Sequence, residues 1–135
     1  ESYHRKISKE LNYIGVLVIE FFLTDNEELI ANEMAPRVHN SGHWTSEGAN
    51  ISQFEAHIMA ISGMSIEKIS VKGNSGMLNI LSKMPDNIDE NGNGCKLYDY
   101  GKSERKNRKL GHITLTSENK KDLLSRISKL KDKIF

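Results

Sequence analysis

The sequence is poor in the residues that staple or stiffen a chain. It has one cysteine, Cys95, two prolines, one tryptophan, four tyrosines and four phenylalanines in 135 residues. A single thiol excludes an internal disulfide and makes a reducing compartment, the cytoplasm, the simpler expectation. Charge of one sign is also lacking, with 19 Lys+Arg against 18 Asp+Glu. No global field therefore draws the chain to nucleic acid or a membrane surface. The longest apolar run, Ile14 to Leu23, is broken by Glu20 and too short to span a bilayer. The first fifteen residues are polar and charged, which argues against a secretory signal and for a soluble protein. Hydrophobic residues make up 37%, and a chain of this length buries about two thirds of its unfolded surface, enough for an ordinary core.

What is present alternates between helical and strand periods. Tyr3, Ile7 and Leu11 share one helical stripe. "IGVLVIEFFL" is β-branched and aromatic and predicts a strand. "TDNEE" turns the chain and "LIANEM" returns it. "ISQFEAHIMAIS" has helical spacing at Ile51, Phe54, Ile58 and Ile61, with Gly63 as its C-cap. Either Asn50 with Gln53 or Ser52 with Glu55 supplies its capping box. Strands follow at "GMLNILS", "KLYDY" and "HITLT", with "DNIDENGNG" (86–94) as a surface loop. Residues 119–131 predict a basic helix with a stripe of Leu123, Leu124, Ile127 and Leu130. The expectation is an α+β fold, mostly antiparallel, divided into residues 1–73 and 74–135.

If Asn26 and Glu27 form a two-residue hairpin turn, Glu20 falls opposite Glu33 on one face, beside Val18, Phe22, Leu29 and Ala31. Two carboxylates opposed in apolar surroundings repel, so one takes a proton or both meet a cation. Mg²⁺ suits the second solution, because it accepts one or two carboxylates and fills its shell with water and phosphate oxygens. A longer turn would shift the register and send one glutamate to solvent.

The loop "NEMAPRVHNSGHW" (32–44) concentrates Glu33, Arg37, His39, Asn40, Ser41 and His43. Arg37 offers a planar fork for carboxylate or phosphate, and His39, Asn40 and Ser41 add neutral donors. The plain alternative is a surface loop stapled by Trp44. His39 and His43 could suggest zinc, but Pro36 and Gly42 work against a helix presenting both, and Cys95 is distant in sequence. "GKSERKNRKLGH" (101–112) gathers Lys102, Arg105, Lys106, Arg108 and Lys109. It reads as a solvated loop or as a phosphate clamp built on Lys102 and Arg108, with help from Arg105 or Lys109. A nucleic-acid patch would need more stacking partners than Tyr98 and Tyr100.

Together, "VIEFFLTDNEELIANEMAPRVHNSGHWTSEGANISQFEAHIMAISG" and "YGKSERKNRKLGHITL" resemble the C-terminal part of the ATP-grasp domain and the small C-terminal β domain of the 5-(carboxyamino)imidazole ribonucleotide synthase family. That family is also described as the ATPase subunit of phosphoribosylaminoimidazole carboxylase, in purine biosynthesis. The resemblance runs from about residue 11 to residue 116. It implies a carbon-nitrogen ligase that uses ATP to turn bicarbonate into carboxyphosphate, then carboxylates the exocyclic amine of aminoimidazole ribonucleotide.

Carried over by motif, Glu20 and Glu33 would hold Mg²⁺, and Asn32 with Glu33 would contact ATP. Arg37, His39, Asn40 and Ser41 would line the bicarbonate and imidazole pocket. Lys102 and Arg108 would hold the 5′-phosphate, with Arg105 and Lys109 as alternates. A homodimer of the full-length form is implied as well. The formate-dependent glycinamide ribonucleotide transformylase has a similar acid-x-x-Pro-Arg-x-His pattern, but Asn40-Ser41-Gly42-His43-Trp44 favours the imidazole enzyme. No Gly-rich phosphate loop is present, so this stretch is expected to be a C-terminal portion that cannot turn over ATP alone. The competing class is a non-catalytic module that binds a phosphorylated ligand.

Overall fold

A computed structural model describes residues 2–86, 88 and 94–134. Its elements are α1 (Ser2–Glu10), β1 (Val18–Leu23), β2 (Leu29–Ala35), a 3-10 turn (Asn40–Gly42), α2 (Thr45–Gly48), α3 (Gln53–Ile61), β3 (Asn74–Leu81), β4 (Cys95–Asp99), β5 (Lys109–Ser117) and α4 (Lys120–Ile134). The strands pair antiparallel in both sheets, as an α+β reading requires. Two compact units form, Glu1–His43 with Ile51–Ile69, and Trp44–Asn50 with Ser70–Phe135. The "DNIDENGNG" loop lies for the most part outside the described residues. Among those described, no helix is long and apolar enough to cross a membrane.

In the first unit the predicted strand is shorter than its β-branched run. Residues Ile14 to Leu17 are excluded because side chains take their backbone groups. Val16 N–H donates to His57 Nδ1 (3.0 Å), Tyr13 Oη donates to the Val16 carbonyl (3.1 Å), and His4 Nε2 lies 2.8 Å from the Leu17 carbonyl.

The hairpin turn differs from the two-residue form. Thr24 N–H donates to the Glu28 carbonyl (2.9 Å) and Glu27 N–H to the Thr24 carbonyl (3.0 Å), so Asp25, Asn26 and Glu27 make a three-residue loop. Glu27 takes the left-handed conformation (φ 61°) that such a loop needs at its end. Leu23 then pairs with Leu29 and Phe21 with Ala31. Asn32 is left over as a bulge, and beyond it Glu20 pairs with Glu33. The longer turn and the bulge offset each other, which restores the expected opposition of the glutamates. Between turn and bulge the faces are exchanged: Ile30, opposite Phe22, shares the glutamate face, and Leu29 and Ala31 lie on the other.

α3 begins with a complete capping box, Ser52 Oγ accepting from Glu55 N–H (3.2 Å) and Glu55 Oε2 from Ser52 N–H (2.8 Å). Gly63 follows it at φ 68°. The apolar stripe expected to pack is exposed at Phe54, Ile58 and Ile61, whereas Gln53 and Ala56 are buried. Burial here follows the face turned toward the 32–43 loop.

The second unit is a three-stranded sheet in the order β3-β5-β4. The middle strand is buried on both faces. Ile113 and Leu115 meet Ile80, Leu110 and Leu123 of α4 in the core, with Ile127 and Leu130 packed against it. Leu124, expected in that stripe, is instead 55% exposed. Lys109, expected in a loop, is the first residue of β5.

Ile113 is fully buried, so Ile113→Ala removes core volume that α4 cannot refill. Urea denaturation is expected to show a loss of about 3 kcal/mol with an unchanged slope. A loss under about 1 kcal/mol would mean the sheet and helix collapse onto the gap.

Candidate functional site

The bulge and the chain after β2 bring three ligating side chains together. One atom each from Glu20, Glu33 and His39 lies within 4.8 Å of the others. His39 Nε2 is 2.8 Å from Glu33 Oε1, and His39 Nδ1 is 3.5 Å from Glu20 Oε1. Nδ1 also accepts from the Ser41 backbone N–H (3.3 Å) and lies 2.9 Å from Ser41 Oγ. In the tautomer that accepts from Ser41 N–H at Nδ1, Nε2 carries the ring proton toward Glu33. The surroundings are not the apolar ones expected. The Glu20 and Glu33 side chains are 38% and 51% exposed, while the His39 side chain is 12% exposed. This donor set fits a hard divalent cation, because two half-exposed carboxylates can share it with water and phosphate oxygens. The sequence alone places the glutamates opposite each other but gives no sign that His39 stands between them.

The remaining loop residues divide by contact. Arg37 is exposed, with Nη1 donating to the Val38 carbonyl (2.9 Å). Asn32 is exposed at the bulge. Asn40 Oδ1 is buried without a hydrogen-bond partner among the described residues. His43, considered for zinc beside His39, is drawn to Gln53 instead, its Nδ1 lying 2.6 Å from Gln53 Nε2. Its ring stacks on Phe54 at 5.3 Å between centroids. Gln53 is the residue that motif reading passes over, since its signal is only a possible cap for Asn50. In the structure its amide bonds both the N–H and the carbonyl of His39.

The basic run belongs to the second unit. Arg108 is held by its own loop, Nη1 donating to Ser103 Oγ (2.9 Å) and to the Ser103 carbonyl (3.4 Å). Lys102 Nζ sits 5.1 Å from the centre of the Tyr100 ring. Arg105 is exposed, and its carbonyl closes a turn by accepting from Arg108 N–H (2.9 Å). Lys109 pairs with Leu81 in the sheet.

The Tyr100 ring under Lys102 belongs to an aromatic cluster. Tyr98 and His112 stack at 4.6 Å with 7° between planes, and Tyr100 Oη lies 2.7 Å from His112 Nδ1. Tyr98 Oη donates to Glu47 Oε1 at 2.6 Å. Burial, then the Glu47 carboxylate that accepts its proton, push the Tyr98 phenol up to about 12, with Ser46 acting weakly in the opposite sense. Burial also raises Tyr100.

The ATP-grasp domain family matches residues 1–54, and the phosphoribosylaminoimidazole carboxylase C-terminal domain family matches residues 75–126. The chain is 43% identical to N5-carboxyaminoimidazole ribonucleotide synthase of Saccharolobus solfataricus over 134 residues, 97% of this chain and 36% of that protein. The crystal structure of N5-carboxyaminoimidazole ribonucleotide synthetase from Thermus thermophilus superposes with a TM-score of 0.88 at 41% identity, over 98% of this chain and 37% of that one. The Aspergillus clavatus synthase, solved with ADP and 5-aminoimidazole ribonucleotide, superposes with a TM-score of 0.75 at 33% identity, over 87% and 34%. The chain thus spans about a third of the length of the relatives it matches.

The Tyr98 phenol provides a measurable check on the second unit. Its folded value near 12 exceeds the ordinary 10.0, so the protonated form is favoured by folding. The stabilisation is complete below pH 10 and is lost as pH rises toward 12. Ultraviolet titration is expected to show one tyrosine ionising near the top of that window, and Glu47→Gln should lower it. An unchanged midpoint in Glu47→Gln would leave burial as the whole cause.

Proposed function

Because this chain belongs to the N5-carboxyaminoimidazole ribonucleotide synthase family, we propose that its gene product couples ATP cleavage to carboxylation of aminoimidazole ribonucleotide by bicarbonate. The observation that carries the reading is the opposition of Glu20 and Glu33 across the hairpin, with His39 drawn into the same cluster. On this reading Glu20 and Glu33 hold Mg²⁺, which neutralises charge on the nucleotide phosphates. Asn32, beside Glu33 at the bulge, contacts ATP.

Arg37, His39, Asn40 and Ser41 serve the bicarbonate and imidazole. Arg37 has an exposed guanidinium suited to charge building on bicarbonate-derived oxygens. Asn40 Oδ1 is a buried acceptor without a partner, and the exocyclic amine of the imidazole is a donor of matching chemistry. His39, whose Nε2 is held toward Glu33, and Ser41 complete the lining. Carboxyphosphate is labile in water, so these groups must close around it. Lys102 and Arg108 take the 5′-phosphate as paired cations, with Arg105 and Lys109 as alternates. The domain boundary on this reading falls at residues 73 and 74, and the assembled protein is a cytoplasmic homodimer.

The test is an assay of the gene product, purified from its source, with ATP, Mg²⁺, bicarbonate and aminoimidazole ribonucleotide. Glu33→Gln is expected to reduce kcat by about 10²-fold or more, because half of the cation's carboxylate charge is removed. Lys102→Ala and Arg108→Ala are expected to raise KM for the ribonucleotide by about 10- to 100-fold while KM for ATP stays put. Nucleotide binding without carboxylated product from the wild type would favour the non-catalytic module instead.

A further inference from the structure

We propose that Gln53 is a positioning residue that fixes His39 against the glutamate pair, and that position 42 is glycine to make room for it. The inference rests on the reading of Glu20, Glu33 and His39 as a working site. Gln53 is 8% exposed and stands at the start of α3, where the Ser52–Glu55 capping box fixes the helix. Its Oε1 accepts from His39 N–H at 2.9 Å, and its Nε2 donates to the His39 carbonyl at 2.8 Å.

That is the two-bond exchange a neighbouring strand would make with an extended residue. His39 has the matching backbone, φ −132° and ψ 152°. A carboxamide carries the donor and the acceptor this exchange needs on two separate atoms, whereas a carboxylate or thioether lacks the donor and a hydroxyl places both on one atom. The His39 N–H and carbonyl also fix which way round the amide lies. The same Nε2 reaches His43 Nδ1, so one side chain secures both histidines of the loop.

With its backbone clamped, the His39 ring is oriented by Ser41 N–H at Nδ1 and presents Nε2 to Glu33. Gly42 completes the arrangement from the other side. A Cβ there would lie 2.5 Å from Gln53 Oε1 and 2.9 Å from Gln53 Cδ, closer than side chains tolerate. An alanine at 42 therefore acts on Gln53 directly. A mere loop staple would stabilise the fold without bearing on His39, and the two roles separate experimentally.

The experiment compares the gene product with its Gln53→Met, Gly42→Ala and Leu123→Ala variants. Three readouts are taken: diethyl pyrocarbonate labelling of each histidine by peptide mass spectrometry, steady-state kinetics, and Tm. In Gln53→Met and Gly42→Ala, His39 is expected to label at least about fivefold faster as its clamp opens, while His4 and His57 keep their rates. Carboxylation kcat should fall by about 10²-fold with KM for ATP within about threefold, the signature of a displaced group rather than lost binding. The double variant should be no worse than the worse single one, since both break one contact. Leu123→Ala, in the core of the second unit, should lower Tm yet leave His39 labelling and kcat unchanged.

Wild-type labelling of His39 in folded Gln53→Met would overturn the proposal, as would a kcat loss that Leu123→Ala reproduces at equal Tm. Should Gln53→Met not fold, Gly42→Ala reads the same contact with the amide still present. If the wild type carboxylates nothing, the functional reading fails, and the labelling still decides whether Gln53 holds His39.

Discussion

Two carboxylates facing each other across a pair of strands repel, and the first unit is arranged around what relieves that repulsion. Full burial would force a proton onto one of them and remove half of their charge. Full exposure would let water screen them and leave nothing to fix their separation. Glu20 and Glu33 take the intermediate course, about half open to solvent on strands whose backbone pairing sets them opposite. His39 supplies the third side of the cluster through a ring that carries no obligatory charge. A lysine or arginine in its place would offset part of the pair's charge permanently and compete with any cation.

How much of this the sequence reveals depends on whether a feature is periodic. The Glu20–Glu33 opposition was legible from spacing, although through two offsetting irregularities. Glu27 in the left-handed region lengthens the turn by one residue, and the Asn32 bulge absorbs it. Spacing does not announce a bulge, so Leu29 and Ala31 were placed on the wrong face while the glutamates were placed correctly. The capping box of α3 was legible because it is local. The burial of Gln53 was not, since its partners lie 14 residues earlier and are mostly backbone groups, which carry no identity in a sequence. The exposed Phe54, Ile58 and Ile61 mislead for a related reason: a helical stripe marks an apolar face but not what lies against it.

The second unit shows the same division. Its central strand announces itself by apolar and β-branched residues, and Ile113 and Leu115 do form the core. The run from Lys102 to Lys109 announces positive charge. What the run cannot announce is which cations are held in place. Arg108 is tied to Ser103 and Lys102 rides on Tyr100, so their positions are partly fixed before any ligand arrives. A flexible lysine gives up rotamer entropy when it binds, and a pre-placed one gives up less. The backing comes from Tyr98, Tyr100 and His112, residues whose stacking is set by strand register and so becomes visible only in three dimensions.

Charged and neutral groups are sorted in a way that bears on the proposed chemistry. The cations Arg37, Lys102 and Arg108 are exposed or half-exposed, where they stay hydrated until an anion displaces the water. The deeper polar atoms carry no obligatory charge: the His39 ring, held by Ser41 and Glu33, and Asn40 Oδ1. Asn40 Oδ1 has no hydrogen-bond partner among the described residues, and a buried acceptor left so costs about 1–3 kcal/mol. An anion could not offset that cost, because a carbonyl oxygen repels it. An amine N–H could. The loop therefore holds an anion-seeking guanidinium at Arg37 and a donor-seeking amide at Asn40 within four positions of each other. That pairing matches a reaction joining an anionic one-carbon unit to an amine, and it is more than a site for phosphate alone would require.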